Sequence, residues 1–138
     1  MSVLKPFKAV RPTADKVEAV ACRPYDVLNA KEARISADGN PVSFYNVIKP
    51  EINFPDGYDV YDESIYKKGR ENYELLKSNG VLNQDENEMF YVYQLIMDGH
   101  TQTGIVGCCS IDDYFNNVIK KHELTRPDKE EERKNHVR

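Results

Sequence analysis

The segment 118–138, VIKKHELTRPDKEEERKNHVR, holds the chain's densest set of side chains able to move protons or hold anions. His122, Glu123, Thr125 and Arg126 fall in a short polar turn that leads into a charge-rich helix bearing Arg133 and His136. Thr125 is placed to cap that helix, with Asp128 in a capping-box-like position, and Pro127 is tolerated in a first turn. A helix N-terminus offers unpaired N–H donors and partial positive charge, so anions bind there readily. Lys120, Lys121 and Arg126 add full positive charge beside it. Arginine presents a planar fork suited to phosphate, whereas lysine acts as a point charge. A histidine such as His122 can move a proton, and Glu123 suits a general base or a carboxylate holding magnesium on a phosphate. Together these groups describe a phosphate or nucleotide site, with Lys121, Thr125, Arg126 and Arg133 binding and His122 and Glu123 doing the proton chemistry. The competing description is a solvated helix laced with ion pairs, because charge runs are usually exposed faces. On that description Glu130 and Arg133 decorate the helix and His136 is a surface residue.

Other candidates carry less chemistry. Arg23-Pro24-Tyr25-Asp26 is either a rigid turn aiming Tyr25 and Asp26 into a cleft with Arg23 as an anion clamp, or a tyrosine packed on the core beside a capping aspartate. Asn40-Pro41-Val42-Ser43 reads as a plain turn. Cys108 and Cys109 share a strand and so face opposite sides, without the spacing of a zinc site. The chain has no GxxxxGK[ST], GxGxxG or GxSxG, which gives no support to a P-loop, a dinucleotide fold or a serine hydrolase. Tyr91 and Tyr93 lie on one face of a strand, where aromatics more often form core than a base-stacking platform.

The elements that would position these groups read as a mixed order of strands and helices, an α+β fold with an antiparallel or mixed sheet, a central hairpin and flanking helices. Strands are expected at 4–10, 17–22, 43–48 and 89–97, and the last returns through Asp98-Gly99 into 100–110. Asn29, with Glu32 three residues on, caps a helix over 30–37. Residues 49–62 read as a surface loop. The clearest helix is 63–78, where Ile65, Tyr66, Gly69, Tyr73, Leu75 and Leu76 recur at three-four spacing and Asn79-Gly80 ends the run. A turn or short helix is expected at 112–117, and Glu130 and Lys134 stand in the favourable order for a helical ion pair.

A chain of 138 residues, 40% hydrophobic and 30% charged, fits one soluble domain with its own core. Its net charge of −4 argues against a general nucleic-acid coat, which calls for a basic excess. No apolar run reaches the ~20 residues that span a bilayer. An odd count of 3 cysteines and no export signal point to a reducing cytoplasm.

Across nearly its whole length the chain resembles an uncharacterised bacterial and archaeal family, domain of unknown function ten-fifteen. The matching segments are PFKAVRP, PYDV, NPVSF, FYVYQ, TQTGIVG and, most specifically, DDYFNNVIKKHELTRPDKEEER. Cys22 and Arg23 stand where that family commonly has small residues or proline before PYDV. Members of the family are considerably longer. The resemblance therefore implies that this chain is their N-terminal part, with a C-terminal region packing on it. The family is more loosely similar to the ParB and sulfiredoxin superfamily, in which a polar turn and an arginine-bearing helix hold nucleotide phosphates. That similarity implies the same roles for Lys121, His122, Glu123, Thr125, Arg126 and Arg133.

Three functions are then in competition. The first is a phosphate- or nucleotide-binding enzyme module, such as a small-metabolite phosphotransferase using ATP or CTP with magnesium. The second is a non-catalytic regulatory or nucleic-acid-associated module. The third is a purely structural domain.

Overall fold

The computed structural model describes residues 2–122, 124 and 126–137, the side chain of Asp128 aside. Glu123 and Thr125, both singled out above, lie outside the described residues. In chain order the elements are β1 (Leu4–Lys5), β2 (Val10–Pro12), α1 (Val17–Val20), α2 (Ala30–Ala37), α3 (Tyr45–Ile48), a 3-10 turn (Pro50–Asn53), α4 (Glu63–Ser78), β3 (Leu82–Gln84), β4 (Tyr91–Met97), β5 (His100–Val106), β6 (Cys108–Cys109), α5 (Ile111–Phe115) and α6 (Pro127–Val137). Small two-stranded sheets beside helices make the fold α+β, and β2 pairs with β3. No helix among the described residues is long and apolar enough to cross a membrane.

The chain divides into two compact units, Met1–Val10 with Gln84–Thr125 and Arg11–Asn83 with Arg126–Arg138. In the first, β4 and β5 form an antiparallel hairpin from Tyr91↔Val106 to Met97↔His100. Asp98 (φ 50°) and Gly99 (φ 77°) make the turn, the left-handed pair that a two-residue hairpin loop requires. β1 runs antiparallel to β6, with Leu4 opposite Cys109. The Tyr91 hydroxyl accepts from the Ala9 N–H at 2.9 Å and donates to Asp85 Oδ2 at 2.6 Å, tying the hairpin base to the N-terminal segment. Ser110 caps α5 by accepting from the Asp113 N–H.

The second unit holds the core: Val20, Ala33, Tyr45, Val47, Ile52, Ile65, Leu76, Val81 and Leu82 are all buried. The Asn29–Glu32 capping box opens α2 as the sequence implies, with bonds of 2.9 and 3.0 Å. α4 covers the expected residues, starts on the Asp62 side-chain cap and ends at Asn79, with Gly80 at φ 68°. Ile65, Gly69 and Leu76 face inward, whereas Leu75 is exposed.

Several segments differ from their sequence reading: the strand expected at 4–10 is the two short strands β1 and β2, the second running through Pro12, and β3 at 82–84 is not among the expected strands. Residues 17–20 are helical, because Ala and Glu favour a helix and a turn at Thr13–Lys16 feeds one, through Lys16 N–H to Thr13 O at 2.9 Å. The aromatic, β-branched run at 43–48 is the short helix α3. Its β-propensity is overridden by packing: Tyr45 and Val47 turn inward, and Phe44 N–H donates to Val20 O at 3.0 Å. The loop after it begins with the 3-10 turn, whose Pro50 and Ile52 are buried. Arg34 clamps that turn by donating to Ile52 O at 3.0 Å and Phe54 O at 2.9 Å, and it pairs with Asp56.

Candidate functional site

The second unit contains a cleft of about 970 Å³ bordered by α3, α4 and α6. α4 supplies half of the lining residues, because residues spaced three and four apart share one helix face. Tyr66, Gly69, Arg70 and Tyr73 line the cleft at that spacing, and Glu63, Lys67 and Glu74 line it too. α3 contributes Val47 and Ile48, its N-cap Phe44 lines the cleft as well, and so does Tyr61. α6 contributes Asn135, His136 and Val137. The lining is thus aromatic and aliphatic, with cations around it. Its acids are already engaged, Glu63 with Lys67 at 3.1 Å and Glu74 with Lys77 at 3.3 Å.

A second layer of polar contacts seats α6. The Arg133 guanidinium lies 4.0 Å from the centroid of the Tyr25 ring, a stacking cation–π geometry. Arg133 also pairs with Glu132 at 3.2 Å, and Lys129 holds Glu132 from the other side at 2.8 Å. The hydrogen bond from Lys129, aided by Arg133, keeps the Glu132 carboxyl below the usual carboxylate range despite partial burial. Arg133 Nε is buried and meets no acceptor among the described residues, so ring stacking is a large part of what fixes the guanidinium. Below it, Lys49 donates to Tyr25 O at 3.3 Å and pairs with Glu51 at 3.1 Å.

His136 is half-buried, with its ring 6.4 Å edge-on from Tyr66. Burial pushes the imidazole below its ordinary value of 6.5; Arg133 adds to the effect, and Glu51 and Glu132 oppose it. Burial likewise raises the Tyr66 hydroxyl, with Glu132 and Tyr61 in the same direction.

The residues expected to form the site fall in both units. Lys121 and His122 belong to the first unit; both are exposed, and Lys121 Nζ lies 4.7 Å over the Tyr114 ring. Arg126 and Arg133 belong to the second unit. Arg126 is exposed, and its carbonyl accepts from Glu130 N–H at 2.9 Å. The Glu130–Lys134 pair forms at 2.8 Å. In the PYDV segment Tyr25 is packed, whereas Arg23 and Asp26 are exposed; the Arg23 N–H donates to the Tyr45 hydroxyl at 3.1 Å. His136, read as a surface residue, lines the cleft, and Lys67, Arg70 and Tyr73 had drawn no attention as chemistry. The available signal was spacing: Glu132, Arg133 and His136 share a face of α6, and Tyr66, Arg70 and Tyr73 share a face of α4.

Residues 4–138 match the model of a family described as protein of unknown function, DUF1015, and the chain belongs to that family. No curated protein and no solved structure matches it significantly.

Proposed function

We propose that this chain is a phosphate- or nucleotide-binding module whose ligand lies in the cleft between α3, α4 and α6. The observation that carries the proposal is the lining itself, aromatic walls with Lys67, Arg70 and His136 around them. A nucleotide has the same two-part chemistry. Its base can stack on Tyr66, Tyr73 or Phe44, at about 1–3 kcal/mol per stacked base, while cations neutralise its phosphates. Arg133 adds positive charge behind His136. Lys67 can exchange its exposed partner Glu63 for a phosphate at little cost, since such surface pairs contribute only about 0–1 kcal/mol.

This version keeps the helix half of the sequence-based site and leaves Lys121 and His122, in the other unit, without a role. Magnesium would arrive on the nucleotide's phosphates. A phosphotransferase activity on a small metabolite extends the same proposal, because phosphoryl transfer needs mainly positioning and charge neutralisation. The likeness to the ParB and sulfiredoxin superfamily belongs here too and rests on sequence arrangement alone.

The test is thermal unfolding with ATP or CTP and magnesium. Ligand at about ten times its dissociation constant adds about 1.4 kcal/mol and raises the midpoint by about 3–5 °C. Arg70→Ala and Tyr73→Ala should each abolish most of that rise. An unchanged midpoint with every nucleotide at millimolar concentration contradicts the proposal.

A further inference from the structure

We infer that ligand binding in the α3–α4–α6 cleft is coupled to protonation of His136, so that the site tightens as pH falls through neutrality. This rests on the cleft being an anion site, as proposed above. The argument is one of placement. His136 lines the cleft and is half-buried, so an anion bound there would face an imidazole with little water between them.

Several of the charges around it are already paired. On its own helix Arg133 and Glu132 pair with each other at 3.2 Å. From the 3-10 turn Glu51 is paired with Lys49 at 3.1 Å. From α4 the ring of Tyr66 faces it, with Glu63, Lys67, Arg70 and Glu74 around the same cleft. The lining residues of α3 and its N-cap, Phe44, Val47 and Ile48, carry no titratable group.

With the acids engaged, burial and then Arg133 outweigh Glu51 and Glu132, and the imidazole is held below its ordinary value. A bound phosphate brings negative charge into the lining that His136 shares with Lys67 and Arg70, which favours the imidazolium. Linkage then requires that binding take up a proton and that affinity rise on acidification. The rise is at most about tenfold per pH unit for one proton. His136 is therefore a sensor as well as a wall of the site.

The test follows the imidazole C2–H resonances by NMR across about pH 5–8. The chain has 3 histidines, and His136→Gln assigns the relevant signal by its loss. In the free protein His136 should titrate below 6.5. Saturating ATP with magnesium should move its midpoint upward by about one unit, equivalent to about tenfold in affinity. A midpoint for His136 that does not move while ATP binds overturns the coupling and leaves the binding proposal intact. ATP that binds at no pH overturns both.

Discussion

The guanidinium of Arg133 over the ring of Tyr25 ties α6 to the rest of its unit. A planar cation partly shielded from water on an aromatic face contributes about 0.5–2 kcal/mol. Arg133→Met and Tyr25→Leu should each lower the midpoint in denaturant, and the double variant should lose less than the sum. The expected coupling energy is about 0.5–1 kcal/mol. Strict additivity would show that the stack adds nothing. Tyr25 was legible in the sequence only as a choice between a cleft residue and a packed one, because its partner lies far along the chain. His136 was harder to see. The half-buried residues of α6, Glu132, Arg133, Asn135 and His136, are all polar, so a search for apolar periodicity passes over the face that docks.

Among the elements, α4 and the β4–β5 hairpin were written locally and read correctly. A sixteen-residue amphipathic run with a cap and a glycine stop specifies itself, as does an Asp-Gly turn between strand-forming residues. Leu75 is exposed because at ~100° per residue it sits about a quarter turn from the stripe of Ile65, Gly69 and Leu76. α3 was not legible, since a four-residue helix made of β-formers depends on distant partners. Asn72 donates to Asn46 O at 2.8 Å, and Gly69 lets α3 approach α4. A Cβ at Gly69 would meet Val47 O at 3.0 Å and Pro50 Cγ at 3.2 Å. Gly69→Ala gains about 1 kcal/mol of helix propensity but overpacks this contact at a cost of about 1–3 kcal/mol. A net loss of about 1 kcal/mol in chemical denaturation is expected, and a stabilised variant would show that α3 yields easily.

Across the described residues, burial is unevenly distributed. Every buried residue belongs to the second unit, and no described side chain of the first unit is buried. The hairpin exposes Val92, Ile96 and Ile105 at 73%, 69% and 73%, so it is held by strand pairing rather than by a core of its own. The cleft lies in the unit with the core, where rigid helices can hold a ligand's contacts in place. Sequence chemistry pointed instead to the turn before α6, because charge density shows in a linear string and a concave surface does not. Amide chemical-shift mapping with ATP and magnesium separates the two directly. Binding in the cleft predicts perturbations clustered at 44–48, 66–73 and 135–137; shifts confined to 120–122, or none at saturating ligand, would contradict it.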